Sequence, residues 1–169
     1  AAMAGTASLC PEYQYIQKGI NYADSYLFNP HKWMLTNFDC SCLFIKNREA
    51  LTSALEILPE YLKTESSKKD KVTDYRDWQI PLGRRFRALK LWSVIRYYGT
   101  SGLQNYIRNH IELAQYFFRC VKNDNRFEIM APAPLNLVCF RAKGDDELNQ
   151  VLLKYLNDSG KILMTHTKL

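Results

Sequence analysis

The segment Asn29-Pro30-His31-Lys32-Trp33 constrains this chain more than any other. It places a lysine between an amide, an imidazole and an indole, in a stretch otherwise rich in apolar and aromatic residues. Two readings follow from the residues alone. In the first, Lys32 is a surface lysine whose aliphatic stem packs on Trp33. In the second it is a Schiff-base lysine: burial and nearby dipoles lower the pKa of an amine, and the neutral amine attacks an aldehyde.

Local patterns place this segment in a folded chain. Of the 169 residues, 47% are hydrophobic and 13% aromatic, enough for a real core. Ala1 to Gly5 has the small residues of a loop. Pro11 to Lys18 reads as a short helix opened by Pro11 and ended by Gly19. Ala23 to Phe28 reads as a strand leading into Asn29. Phe38 to Lys46 is largely apolar and reads as a buried strand, with Cys40 and Cys42 on one face. Asn47 caps a helix over Arg48 to Ile57. Residues 64–71 are polar, charged and aperiodic, which reads as a loop.

In the second half, Arg84 to Tyr98 is helical, with Ala88, Leu91, Trp92 and Ile95 on one face and Gly99 as its end. This stripe reads as core or as a dimer contact. A further helix covers Leu103 to Val121, its face formed by Ile107, Ile111, Ala114, Phe118 and Val121. Strands are expected at Phe127 to Met130 and at Leu135 to Arg141. A helix opened by Asp145 and Asp146 follows, with Leu148, Val151, Leu152, Tyr155 and Leu156 at helical spacing. A last strand is expected at Lys161 to Thr165. This order gives an α+β unit.

Charge and cysteine content limit the function classes. The net charge is +6, with positive clusters at Lys68, Lys69, Lys71 and at Arg84, Arg85, Arg87, Lys90. Interspersed acidic residues and the lack of a nucleic-acid fold signature argue against a nucleic-acid partner. No apolar run is long enough to span a membrane, and Ala1 to Gly5 has no basic flank of a signal peptide. The five cysteines, Cys10, Cys40, Cys42, Cys120 and Cys139, are odd in number and irregularly spaced. They read as reduced core or near-core thiols of a cytoplasmic protein, and Cys40-Ser41-Cys42 lacks the spacing of a zinc or thioredoxin motif.

Three motifs in order, Asn29-Pro-His-Lys-Trp33, Asn37-Phe-Asp-Cys-Ser41 and Asp74-Tyr-Arg-Asp-Trp-Gln-Ile-Pro-Leu-Gly-Arg-Arg-Phe-Arg87, resemble the aromatic-L-amino-acid decarboxylases. These group II, pyridoxal-phosphate (PLP) dependent enzymes include plant tyrosine/DOPA and tryptophan decarboxylases and aromatic aldehyde synthases. The resemblance runs from Ala1 to Leu169. It implies an α/β, fold-type I PLP-dependent transferase-like architecture. Residues 1–98 would be the C-terminal side of the PLP-binding large domain, with a catalytic lid at about 58–72. Residues 99–169 would be a partial α+β small domain. The chain would be an internal piece of a longer, cytoplasmic, homodimeric enzyme.

The resemblance also assigns roles. Lys32 would carry the cofactor, Asn29 would contact its phosphate end and His31 would lie beside that phosphate. Phe38 would help wall the aromatic-substrate pocket. Gly83 would lie near the active site across the dimer interface, where tyrosine decarboxylases often have Ser; Gly leaves room for an indole. Tyr61 would be the lid tyrosine that protonates the substrate carbon after carbon dioxide leaves. The aldehyde synthases carry Phe there, and oxygen then diverts the reaction to aldehyde, ammonia and peroxide. The aspartate that pairs with the pyridine nitrogen would stand one position before Ala1. Its absence from the chain keeps a non-catalytic fragment or dimerisation surface open as a third reading, beside amine and aldehyde formation. No metal is implied.

Overall fold

The computed structural model describes residues 1–55 and 75–167. The expected lid, and Tyr61 with it, lies outside the described residues. The chain divides into two compact units, Ala1–Asn105 and Tyr106–Leu169.

The first unit begins with three 3-10 turns, Ala4–Leu9, Pro11–Gln17 and Ile20–Tyr22. The expected loop at Ala1 to Gly5 is therefore already turning at Ala4. Gly19 separates the second and third turns at φ 90°, a backbone region that costs glycine little. Strand β1, Ser25–Phe28, pairs antiparallel with β2, Cys42–Ile45, with Ser25 opposite Ile45 and Phe28 opposite Cys42. Between them lies one helical turn, α1, Pro30–Trp33, with the proline at its start where no amide hydrogen is needed.

Gly5 fits under β1 for a steric reason. A Cβ on it would stand 2.6 Å from the Tyr26 hydroxyl and 2.8 Å from Phe28 Cβ. The core of this unit is formed by Ala7, Cys10, Trp33, Met34, Cys40 and Leu103.

Helix α2, Arg48–Leu55, is capped as expected, by the Asn47 side chain accepting the Ala50 amide hydrogen at 3.0 Å. The turn Tyr75–Trp78 packs on it, with the Arg48 guanidinium 5.8 Å from the centre of the Trp78 ring. Helix α3 spans Arg87–Asn123 and is broken at Gly99, which has φ 62° and ψ 178°. The two expected helices thus meet at the expected glycine with no linker between them. The Gln104 side chain donates to the Leu9 carbonyl at 2.7 Å, tying α3 to the first turn.

Several local expectations need correction. The strand expected over Phe38 to Lys46 is confined to Cys42–Ile45, and it is not buried in this chain: Leu43 and Phe44 are exposed. Two pairing strands leave each face uncovered, so apolar composition alone did not secure burial. The first part of α3 starts at Arg87 rather than Arg84, and its inward residues are Arg87, Lys90, Leu91 and Val94. Trp92 and Ile95 are exposed, which leaves the dimer-contact reading of this stripe rather than the core one.

The second unit carries the inward face of α3 as expected: Ile107, Ile111 and Val121 are buried, with Ala114 and Phe118 half-buried. Strands β3, Phe127–Ile129, and β4, Phe140–Ala142, pair antiparallel. Most of the expected Leu135 to Arg141 strand is irregular, and Lys161 to Thr165 forms no strand. Helix α4, Asp146–Asp158, is capped by Asp145, whose side chain accepts the Leu148 amide hydrogen at 2.8 Å. Its inward residues are Asn149, Leu152, Leu153, Leu156 and Asn157 rather than Leu148, Val151 and Tyr155, which are exposed.

Polar bonding accounts for that rotation. Asn149 brackets Ala142, accepting from its amide at 2.8 Å and donating to its carbonyl at 3.0 Å. Asn157 does the same for Met164, at 2.8 and 2.9 Å. Four hydrogen bonds between two asparagines and the backbone hold this face of α4 inward.

Candidate active site

The site is built from α1 and the loop that follows it. The Asn29 amide hydrogen bonds the Ala2 carbonyl at 2.8 Å, so the start of the chain holds the end of β1. From there Pro30–Trp33 makes its single turn, closed by Lys32 N–H to Asn29 O at 2.9 Å and Met34 N–H to Pro30 O at 3.0 Å. Trp33 and Met34 are buried and anchor the turn from below. Leu35 takes a left-handed φ of 52°, and Thr36 stays buried with its hydroxyl on the Met34 carbonyl at 3.0 Å. The chain is thereby reversed towards residues 38–41.

Residues 39–41 hold the two neighbours of Lys32. The Cys40 amide donates to His31 Nδ1 at 3.0 Å, and the Cys40 carbonyl lies 2.7 Å from the same nitrogen. Nε2 is the ring nitrogen that this loop leaves unengaged. The Asn29 side-chain amide donates to Ser41 Oγ at 2.5 Å, and Asn29 itself is buried. The Phe38 ring meets the His31 imidazole edge-on, with centroids 5.0 Å apart. Phe38 is 85% exposed in this chain, so its contact with His31 is its main fixture rather than core packing.

Lys32 is exposed, not buried. Its neighbours Asn29 and His31 are ordered by hydrogen bonds to Ser41 and Cys40. The indole of Trp33 turns into the core, so it is not a surface rest for the Lys32 stem.

The loop is tied from outside by charge. Arg87, at the start of α3, reaches Asp39 with Nη2 2.9 Å from Oδ2. The Arg87 guanidinium holds the Asp39 carboxyl below the usual carboxylate range, and the carboxylate raises Arg87 in turn. Lys90 adds a weaker positive field on Asp39. Burial, and then the adjacent Cys40, push the Cys42 thiol up. None of the five cysteines lies in a disulfide, and Cys120 is exposed rather than near the core.

The structure thus brings together Asn29, His31, Lys32 and Phe38. Gly83 lies on the preceding segment, where its carbonyl accepts from Gln79 Nε2 at 3.4 Å and no heavy atom comes within 4 Å of where a Cβ would stand. Sequence reasoning assigned no role to Asp39, Cys40, Ser41 or Arg87. The only signal for them was their membership in the second and third motifs. Among the described residues there is no cluster suited to a metal ion, and no helix long and apolar enough to cross a membrane.

The donor set suits a carbonyl-bearing, anionic cofactor: an accessible primary amine, a fixed imidazole with Nε2 unengaged by the loop, and a fixed amide. Comparison with known proteins points the same way. Residues 1–143 match the model of the pyridoxal-dependent decarboxylase conserved domain. The chain is 52% identical to the aromatic-L-amino-acid decarboxylase of Mus musculus, covering 100% of this chain and 35% of that protein. It is 51% identical to the phenylacetaldehyde synthase of Arabidopsis thaliana, covering 100% of this chain and 36% of that protein. The crystal structure of Oryza sativa TDC with PLP and tryptamine superposes with a TM-score of 0.91 at 42% identity, covering 100% of this chain and 37% of that one. The chain spans about a third of the length of the curated relatives it matches. That likeness bears out the expected fold class, that of the PLP-dependent decarboxylases. With the family model matched from residue 1 to residue 143 and the Lys32 turn inside that span, the chain belongs to the pyridoxal-dependent decarboxylase family.

Proposed function

We propose that the full-length protein decarboxylates an aromatic L-amino acid to the amine and carbon dioxide, with PLP carried on Lys32. The observation that carries this reading is the Lys32 turn: an accessible amine whose neighbours Asn29 and His31 are both fixed by one loop, in a member of this family. When bound, PLP supplies an electron sink for the carbon–carbon bond that breaks.

The protein's own groups supply the rest. Lys32 would hold the cofactor through its side-chain amine, with Asn29 and His31 at the phosphate end. The hydrogen bonds of Asn29 to Ser41 and of His31 to Cys40 orient these two side chains before binding, which lowers the entropy of assembly. Phe38 offers an exposed ring to an aromatic substrate. The lid of residues 58–72 excludes water and oxygen, and the Tyr61 hydroxyl delivers its proton to the carbon that has lost carbon dioxide.

Residues 1–98 serve as the C-terminal side of the cofactor domain and 99–169 as part of the small domain. The enzyme works as a cytoplasmic homodimer with no nucleic-acid or membrane partner. The odd number and irregular spacing of the cysteines support a reducing compartment. The exposed apolar residues Phe86, Leu89 and Trp92 support a partner subunit over the start of α3.

The test is hydride reduction of the full-length, PLP-loaded protein followed by peptide mass spectrometry, with amine, aldehyde and peroxide assayed for tyrosine, DOPA, tryptophan, 5-hydroxytryptophan and phenylalanine. The label is expected on Lys32, and amine as the product. A label elsewhere removes the reading. Aldehyde with peroxide would select the second reading, which the similarity to an aldehyde synthase favours and Tyr61 opposes.

A further inference from the structure

We propose that Asp39 and Arg87 form a positioning pair for the Lys32 site, acting through the three-residue strap 39–41. This rests on the reading of Lys32 as the cofactor lysine and extends it to residues that touch neither cofactor nor substrate.

Each residue of the strap has one outward tie. Asp39 binds the Arg87 guanidinium at 2.9 Å. Cys40 holds His31 Nδ1 with its backbone, and also accepts the His31 amide hydrogen at 3.4 Å. Ser41 accepts the Asn29 side chain at 2.5 Å. The strap has no regular structure of its own, since β2 starts only at Cys42. Cys40 is buried, but Ser41 is exposed and Asp39 only half-buried, so packing pins one residue of three. The Asp39–Arg87 pair is therefore the strap's connection to a long helix, and that helix is anchored through Gln104 on Leu9 and buried Leu103. Release of Asp39 frees the peptide that orients His31 and, one residue on, the hydroxyl that orients Asn29.

Lone surface ion pairs contribute little to stability. This one is half-exposed, at 35% and 39% for the two side chains. Its value lies in the geometry it transmits, so its loss should appear in cofactor binding more than in folding.

The experiment uses the full-length enzyme and four variants: Arg87→Met, Arg87→Lys, Asp39→Asn and the double variant Asp39→Asn/Arg87→Met. PLP is titrated into each apoprotein, and the visible circular dichroism of the bound cofactor is recorded at saturation. Thermal midpoints of the apoproteins are measured in parallel. Either charge-removing variant should weaken PLP binding about tenfold and diminish the dichroic band, the double variant should be no worse than either single one, and Arg87→Lys should recover part of the loss.

Wild-type affinity in both single variants, or additive losses in the double variant, would overturn the proposal. So would failure of both Asp39→Asn and Arg87→Met to fold, which would make the pair a fold determinant instead. Hydride trapping on the wild type separates the two levels. A label away from Lys32 defeats the reading of the site, whereas a label on Lys32 with no coupling defeats only the pair.

Discussion

Nδ1 of His31 accepts the Cys40 amide hydrogen at 3.0 Å, and the Cys40 carbonyl oxygen lies 2.7 Å from the same nitrogen. One ring nitrogen is thereby committed to the protein's own backbone, and the orientation of the imidazole beside Lys32 is set by a residue nine positions later. His31→Phe keeps a ring but leaves the Cys40 amide without this partner, at a local cost of about 1–3 kcal/mol. The Cys40 amide in the full-length apoprotein should exchange with solvent roughly tenfold faster or more. Unchanged exchange would mean that the loop holds itself without the imidazole.

Gly5→Ala should destabilise the first unit. The new Cβ would lie 2.6 Å from the Tyr26 hydroxyl and 2.8 Å from Phe28 Cβ, inside contact distance of a paired strand. Overpacking of this kind costs about 1–3 kcal/mol. A lowered thermal midpoint is expected, with Gly83→Ala as the control, since its Cβ would meet nothing within 4 Å. Equal midpoints for the two variants would show that β1 yields to the added methyl.

Tyr61→Phe in the full-length enzyme should divert product from amine to aldehyde, with ammonia and peroxide released. The phenolic proton is removed while the ring volume is kept. Amine alone, made at the parent rate, would assign the proton to another group.

Gly83→Ser should shift the ratio of kcat/KM from tryptophan towards tyrosine or DOPA. The open space around Gly83 admits the hydroxymethyl group without strain, so an effect would report on substrate fit. An unchanged ratio across the two substrate classes would exclude Gly83 from specificity.

Asp124 should titrate at about 2, because the Arg126 side chain and amide both bond its carboxylate. A folded-state pKa below the ordinary 3.8 stabilises the fold above that value, and the contribution is lost as pH falls towards 2. Carboxyl NMR of Asp124 during acid titration reads this directly. A midpoint near the ordinary value would show that Arg126 does not hold it in solution, and Asp124→Asn should remove this part of the acid sensitivity.

Helix ends and turns were legible because they depend on residues close in sequence. Asn47 and Asp145 cap the helices they precede, and Gly99 breaks α3. The inward face of α3 from Ile107 to Val121 also followed from spacing alone, because a long apolar stripe leaves one way to turn. The face of α4 followed only in part: Leu152 and Leu156 are inward, but Leu148, Val151 and Tyr155 are exposed. Asn149 and Asn157 turn α4 inward by bonding the backbone of Ala142 and Met164, and hydrophobic spacing carries no record of where those backbone groups will be.

The site divides in the same way. Sequence alone determined that a strand leads into Asn29 and that Asn29, His31 and Lys32 fall within one five-residue motif. Tertiary structure decided that Cys40 and Ser41 hold the two neighbours of Lys32, His31 and Asn29, and that Arg87 reaches Asp39 across 48 positions of chain. Hydrogen bonds and ion pairs form between groups that the fold brings within about 3 Å, and separation along the chain says nothing about that distance.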